Sequence, residues 1–566
     1  MANPVAMPPF VSTARASMSE SLRGALGEPA IRRIELAWAA GIVADWAYLV
    51  ALLVVAYRDG GALGVGVLGL VRMVPAIVLG PLVATPIRRL RGERALLAVH
   101  AVRAGAALIT ALVLAAGGPV PATYLLAAVV AGAGSLVRPI QTALLPAFAK
   151  TPGELVASNV ASSTGEGVGT FVGPLIGGLV VALAGPAWAC TAVALIGFLA
   201  VAVVGGIHGA GDLDRDHGRH KGTPEFAPAA GIRALAARPG AALLVADFFA
   251  QTFVRGLLIT LIVVASIGLL GLGEGGIGLL NGAIGAGGLA GGLVALGLAG
   301  RPRLAPAFAV ALAFWGLPIA VIGGWPFALV AVVALFVVGL SNAVLDVAGF
   351  TLLQRSVPNE SRLAVFGLVE GLIGAGVALG SLTAPILLGA FGPQGALVIA
   401  GAILPVLALG TWPRIARIDS EVVVPERHLA LLRAIPFFAP LPMTALERLA
   451  GAAVPVTFAT GEKLMTQGEP GDRYIVIESG AVDVVGDGRL LRKCGPGNGI
   501  GEIALLRRVP RTATAIARSP VSGYALDTAA FLDAVATPAS SAAAALMIGE
   551  RLARSSEARS RHRGPR

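Results

Sequence analysis

Charge is scarce in this sequence. Asp, Glu, Lys and Arg make up 13% of its 566 residues, against about 25% in an average soluble protein. With 56% hydrophobic residues and a mean hydropathy of +0.82, so little charge excludes a soluble globular enzyme over most of the length. Cysteine is scarcer still. Cys190 lies in an apolar run and Cys494 in a polar C-terminal stretch, too few and too different in setting for a disulfide framework or a metal site. No nucleophile, base and oxyanion arrangement can be assembled either, so no catalytic and no metal-binding residue is expected, and the chain reads as a non-enzyme. The N-terminal segment from Met1 to Pro29 has no apolar stretch of signal-peptide length, so no cleaved signal is expected and the first apolar run stays as an anchor.

What is abundant is apolar sequence in runs. Cut at charges, Pro and Gly, there are six of them, 34–57, 63–85, 95–116, 123–148, 155–183 and 188–207. A polar stretch from His208 to Pro228 follows, then six more at 241–270, 277–299, 304–322, 327–353, 363–390 and 396–412. Each is near the length of about 20 residues that spans a bilayer. Basic residues alternate between the connections: Arg32 and Arg33, then Arg88 to Arg94, Lys150, Arg215 to Lys221, Arg301 with Arg303, and Arg355. The intervening connections are nearly bare, with Arg58 as their one clear base. The positive-inside rule then puts both termini in the cytoplasm, which requires an even number of crossings, here twelve. The net charge of +11 is therefore read as topology, and no nucleic-acid partner is expected.

The two halves echo each other. Ala44-Asp45-Trp46 recurs as Ala246-Asp247-Phe248, Thr151-Pro152-Gly153-Glu154 as Val357-Pro358-Asn359-Glu360, and Glu166-Gly167 as Glu370-Gly371. Such order is expected of duplicated bundles. In the fifth run Gly169, Gly173 and Gly177 share one helix face, Pro174 permits a bend, and Gly178 follows; small residues on one face let a second backbone approach. The segment Gly169 to Gly178 matches the Gly-x-x-x-Gly-Pro-x-x-Gly-Gly signature, and residues 1–412 resemble the major facilitator superfamily, more narrowly its bacterial drug and siderophore exporters. The resemblance implies six plus six helices around a central cavity and an antiport meaning for that signature, beside the plainer one of glycine packing. Two further signatures depart from the family pattern: Ala84 stands where an Asp is usual, and Arg138-Pro139-Ile140-Gln141-Thr142 keeps the Arg and Gln but ends in Thr.

Ionisable residues inside apolar runs are costly unless they face a cavity or a partner. The candidates are Asp45, Arg72, Arg103, Arg138, Glu166, Asp247, Arg255, Asp346 and Glu370. They either pair off structurally or line a proton and substrate pathway; Asp45 and Glu166 are the preferred proton carriers, because a carboxylate in a partly dry cavity can take a proton from one side and release it to the other. The Gly285-Ala286-Gly287-Gly288-Leu289-Ala290 run fits a dinucleotide pattern but follows no strand and lies inside an apolar run, so it is rejected.

After Trp412 the composition changes. Short alternating segments such as 474–477 and 481–485, set between glycine-containing turns, predict a soluble β-rich domain, opened by helices at 429–434 and 444–452 and closed by one at 541–553. Within it, Gly501-Glu502-Ile503-Ala504-Leu505-Leu506 and Arg511-Thr512-Ala513 resemble the phosphate cassette of the cyclic-nucleotide-binding domain found in the catabolite-activator family, in kinases and in channels. The chemistry fits the residue types. A short helix starting near Ala504 turns free N–H groups to an anion, and Arg511 can grip a cyclic phosphate with two charge-assisted bonds. The resemblance implies that Glu502 accepts from the ribose hydroxyl, that Gly501 allows close approach, and that Ile503 packs; Thr512 leaves cAMP and cGMP both open.

The sequence thus predicts an α-helical membrane protein, twelve transmembrane helices in 6+6 pseudo-symmetric bundles, plus a small cytoplasmic β-barrel (jelly-roll-like) domain with flanking helices. Its expected parts are an N-terminal segment (1–30), two bundles (31–207 and 236–412) around a central loop (208–235), a linker (413–425), the nucleotide domain (426–555) and a basic tail (556–566). The expected function is proton-coupled export of a small amphipathic compound from the inner (plasma) membrane under cAMP or cGMP control. A facilitator or importer, and a membrane receptor or nucleotide buffer that transports nothing, are the rivals. Expected partners are the lipid bilayer, a cyclic nucleotide and a small-molecule substrate, with no cofactor, the chain acting as a monomer or as a dimer through its C-terminal domain.

Overall fold

Long apolar runs with no water to satisfy their backbone must satisfy it internally, as helices. The computed structural model describes residues 24, 27–88, 91–149, 152–207, 228–298, 301, 303–357, 359–421, 426–436, 438–439, 441, 443–507 and 509–535. They divide into two units, one of helices reaching Ile418 and one, mainly of strands, from Asp419 onward. The helices of the first are α1 (Pro29–Arg88), α2 (Gly92–Ala115), α3 (Val120–Phe148), α4 (Pro152–Ala184), α5 (Pro186–Gly205), α6 (Pro228–Ala236), α7 (Pro239–Val264), α8 (Gly275–Leu296), α9 (Ala305–Gly324), α10 (Ala328–Ser356) and α11 (Asn359–Glu421). Proline sits in the first two positions of α3, α5, α7 and α9, where its missing N–H costs nothing.

Among the described residues, ten helices are long and apolar enough to cross a membrane. Two of them are far too long to be straight. α1 has 60 residues and α11 has 63, about 90 Å each if uninterrupted, against a hydrocarbon core of about 30 Å. Both are broken at glycines with non-helical backbone, Gly60 and Gly61 in α1 and Gly392 in α11. The Ala56 carbonyl lies against Gly64, which an unbroken helix would carry about 12 Å further on, so the chain folds back there. These are the places, 58–62 and 391–395, where the hydropathy pattern separates runs. One apolar core, including Tyr48, Leu52, Phe248, Leu261, Phe308 and Trp315, runs through both halves.

Two stretches differ from their sequence reading. α11 continues through Pro413 to Glu421, so most of the expected linker is helix, and α6 occupies the end of the expected central loop.

The second unit opens with α12 (Glu426–Arg433) and α13 (Met443–Ala452). The strands among its described residues are β1 (Val454–Phe458), β2 (Lys463–Met465), β3 (Arg473–Ser479), β4 (Val482–Gly486), β5 (Arg489–Cys494), β6 (Gly499–Ile500), β7 (Thr514–Ala517) and β8 (Val521–Asp527), with α14 (Glu502–Arg507) between β6 and β7 and α15 (Thr528–Val535) after β8. They form two antiparallel sheets, β1-β8-β3-β6 and β2-β7-β4-β5. Alternate residues such as Ile475 and Ile477 of β3 meet Val482, Ala515, Ala517 and Val521 in the interior, as the two-residue strand period requires. Phe438, Tyr474 and Phe531 stack edge to face or tilted in a second core against the helices. The β4–β5 hairpin turns at Asp487 (φ 52°) and Gly488 (φ 76°), the positive pair of a two-residue turn. Gln467 clamps that turn, donating to Asp487 Oδ1 (2.8 Å) and accepting from its N–H (3.0 Å). The helix expected at 541–553 lies outside the described residues.

Candidate functional site

A cavity of about 650 Å³ opens in the strand unit, lined on one side by residues 501–504 and 511–513 and on the other by Met465, Val484, Leu491 and Arg492. Gly501 holds φ at 102°, and a Cβ there would sit 2.5 Å from Arg511 Nη1. Only glycine brings the arginine this close to the backbone. Arg511 is 4% exposed. Its Nη1 donates to the Gly501 carbonyl (3.1 Å), and its Nη2 to the Arg473 carbonyl (2.7 Å) and Asp472 Oδ1 (3.1 Å). Its main chain is fixed too, donating to the Glu469 carbonyl (2.8 Å) and accepting from the Gly468 N–H (2.9 Å). Three of five side-chain donors are thus committed, leaving two for an anion in the cavity.

Glu502, equally buried at 4% exposure, is the first residue of α14, so the helix begins two residues earlier than the sequence reading placed it. Ile503 and Ala504 face the same cavity, with Thr512 at its exposed margin. Asp472 is exposed, and the Arg473 guanidinium bonded to it (2.8 Å), with a further contribution from Arg511, holds its carboxyl below the ordinary range.

Inside the helical unit the candidates separate by what they touch. Asp45 on α1 is paired with Arg103 on α2, which is 8% exposed and also donates to the Gly41 carbonyl (3.2 Å). Arg138 on α3 meets Glu166 on α4 at 2.9 Å, both half-exposed, with the guanidinium over the Trp38 ring at 5.8 Å. Asp346 on α10 accepts from Asn342 (2.8 Å), whose amide oxygen accepts from Gln251 (3.2 Å) and Trp315 (3.0 Å), with Arg255 nearby. Asp247 is fully buried and neither of its oxygens receives a hydrogen bond among the described residues. Glu370 is exposed. Asp45 and Asp247, which match in sequence, therefore differ in surroundings, and so do Glu166 and Glu370. The signature glycines of α4 divide in the same way. A Cβ at Gly169, Gly173 or Gly177 would strike α1 at Ile42, Val43 with Trp46, or Ala47, whereas one at Gly178 would strike Gly275 and Gly278 of the other half. Pro174 lies within α4 among them.

Residues 37–360, more than half of the sequence, match the family described as Major Facilitator Superfamily. This chain belongs to that superfamily. Residues 455–537 match the cyclic nucleotide-binding domain, so this superfamily member carries that domain after its helical unit. Curated relatives match in the same region: a cAMP-dependent protein kinase regulatory subunit of Yarrowia lipolytica is 43% identical over 72 residues, 13% of this chain and 19% of that protein. Acetyltransferase Pat of Mycolicibacterium smegmatis is 44% identical over 110 residues, 19% of this chain and 33% of that one. The matches thus span a third or less of either relative. Among solved structures, the regulatory subunit of a cAMP-independent protein kinase A from Trypanosoma brucei is 26% identical, covering 22% of this chain and 47% of that one at a TM-score of 0.20. The regulatory domain of Toxoplasma gondii PKA with cAMP is 22% identical, covering 25% and 54% at 0.21.

Two further residues are invisible to motif reading. Glu35 on α1, 7% exposed, accepts from Ser162 (2.7 Å) and Gln141 (3.4 Å), joining α1, α3 and α4. Its place next to Ile34, at the edge of an apolar run, was the available signal. In the nucleotide-binding domain Arg492 lines the cavity from β5 and donates to the Gly499 carbonyl (3.3 Å). It lies outside the contiguous cassette, and strand alternation alone does not distinguish it from a solvated arginine.

Proposed function

We propose that the chain is a secondary active transporter, a proton-coupled exporter of a small amphipathic compound, whose flux is set by cAMP or cGMP bound in the C-terminal domain. The observation that carries the regulatory half is the burial of Arg511 and Glu502 on one cavity with arginine donors left over. These residues fit a cyclic nucleotide: an arginine for the phosphate, a buried carboxylate for a ribose hydroxyl, and the apolar Met465, Val484 and Leu491 for a base. When bound, the nucleotide supplies negative charge beside Arg511, and the chain's part is to hold that charge and relay the change.

On this reading α1 and α11 each contribute two crossings, divided at Gly60-Gly61 and Gly392, giving twelve, with both termini in the cytoplasm of a plasma-membrane protein. The two bundles are residues 31–207 and 236–412, and the nucleotide domain is 426–555. Asp45, Glu166, Asp247, Asp346 and Glu370, with Arg138, line the proton and substrate pathway. Asp247 supports that assignment, since a carboxyl buried in an apolar bundle with neither oxygen hydrogen-bonded among the described residues is costly unless it faces a cavity or a partner. Regulation requires that the nucleotide domain bias one transport state over another, a coupling free energy of about 1 to 3 kcal/mol, reciprocal between nucleotide and substrate.

The test is proton-gradient-driven flux in proteoliposomes with and without nucleotide, beside an Arg511→Ala control. Flux that responds to nucleotide in the wild type and not in the control supports the reading. Identical flux at saturating nucleotide, with a compound shown to be carried, removes the regulatory half.

A further inference from the structure

The lone base among the otherwise bare connections, Arg58, is paired. At the end of the first segment of α1, its Nε and Nη2 reach Oε1 and Oε2 of Glu274 at 2.5 and 2.6 Å, a two-pronged pair across 216 residues that joins the two halves. Each partner is held in place by its own half. The fold-back at Gly60 and Gly61 presents Arg58, and Tyr124 of α3 anchors it by donating to the Gly64 carbonyl (3.2 Å). Before α8, the Ser266 hydroxyl donates to the Gly273 carbonyl (2.7 Å) and the Leu272 N–H to the Ser266 carbonyl (2.9 Å), fixing the turn that carries Glu274.

The halves also meet closely at this same end. Gly178 of α4 packs on Gly278 of α8, and Ala182 approaches Gly275, beside Glu274. After the fold-back, Gly66 and Gly69 of α1 pack on Ser381 of α11. We propose that the Arg58–Glu274 pair is an ionic strap that holds this mouth shut, the mouth opposite the arginine-rich connections, and that it must part each time the mouth opens. The inference rests on the transporter reading. It adds which residues set the balance between the two states.

The physical reason is that the pair spans the halves. A contact made in one state only shifts the population toward that state by its differential free energy. Both side chains reach water, Arg58 at 56% and Glu274 at 27% exposure. The strap is therefore weak enough to part in each cycle and open to screening by salt.

The experiment uses the full chain in nanodiscs with spin labels at Leu183→Cys and Phe327→Cys, one exposed position on each half near this end; the native Cys190 and Cys494 are both buried. Pulsed distance measurements should give a closed and an open population, with the closed one dominant at low salt. Arg58→Gln and Glu274→Gln should each raise the open-to-closed ratio about two- to fivefold, and the exchanged pair Arg58→Glu with Glu274→Arg should bring it back toward wild type. Salt should raise the ratio in the wild type and leave the neutral variants unmoved. Two populations that ignore both neutral variants, or variants that the exchanged pair fails to rescue, overturn the strap alone. A single fixed distance in every variant and at every salt concentration overturns the strap together with the alternating transporter.

Discussion

Two buried arginines, one in each unit, show how differently the same side chain is used. Arg103 in the bundle and Arg511 in the nucleotide domain are 8% and 4% exposed. Arg103 is paired with Asp45 and donates to the Gly41 carbonyl, both through Nη2, while its buried Nε has no hydrogen-bond partner among the described residues. Arg511 is held by two carbonyls and by an exposed aspartate, and it faces a cavity with donors to spare. Each has a carboxylate partner and keeps donors unused, but Arg511 lines a cavity of about 650 Å³ with room for an anion, whereas the partners of Arg103 are groups of the bundle itself. The difference lies in what completes the coordination, and burial alone does not reveal it.

The comparison is broken most directly at Arg511. Arg511→Ala should weaken cyclic-nucleotide binding by at least about 1.5 to 3 kcal/mol, a factor of about 10 to 150, read by calorimetry on the purified full chain. Equal affinity in the variant would remove the assigned pocket.

Gly501→Ala tests whether the arginine's position depends on the glycine beside it. The new Cβ would lie 2.5 Å from Nη1, on a residue at φ 102°, so the domain should lose about 1 to 3 kcal/mol of stability and most of its affinity. Thermal melting with and without nucleotide separates the two losses.

In the bundle, Asp45→Asn leaves Arg103 buried without its counter-charge. Breaking a fully buried pair costs about 3 to 5 kcal/mol; because Asp45 is 31% exposed, a loss of about 1 to 3 kcal/mol is expected. Glu166→Gln, in a half-exposed pair, should cost no more than about 1 kcal/mol. The geometry thus separates two replacements that the sequence treats alike. If both carry protons, both should also uncouple flux from the proton gradient, whereas unchanged pH dependence of flux in both would leave them structural.

The smallest effect belongs to Asp472. Its folded-state carboxyl is held low, chiefly by Arg473 and also by Arg511, so its stabilising contribution is present above the ordinary aspartate range near pH 4 and is lost as pH falls through the depressed folded value. Asp472→Asn should therefore flatten the acid limb of the domain's stability curve, and an unchanged limb would show that its pairs contribute nothing in solution.

Much of this was legible because it was local. The cassette that shapes the cavity floor occupies residues 501–512, and a dozen consecutive residues can show a motif. Arg492 and Asp472 were not legible, because Arg492 lines the cavity from β5 and Asp472 reaches Arg511 from just before β3. Glu35 was hidden by its position at the edge of an apolar run, and its contacts with Ser162 and Gln141 depend on three helices meeting. Asp45 and Asp247 match in sequence, yet Asp45 is paired with Arg103 while the oxygens of Asp247 receive no hydrogen bond among the described residues.

The sequence by itself determined the apolar segments, their breaks, the change of composition after Trp412 and the anion-binding cassette, because each is set by the solvent a segment can tolerate or by neighbours along the chain. Only the tertiary structure decided which charges meet: that Arg103 closes on Asp45, that Asp247 is buried with no hydrogen bond to its oxygens among the described residues, and that Arg58 finds Glu274 across 216 residues. A charge is identified by its residue, but its partner is chosen by packing, and the packing of glycine against glycine between α4 and α8 is what brings the halves near enough for that choice.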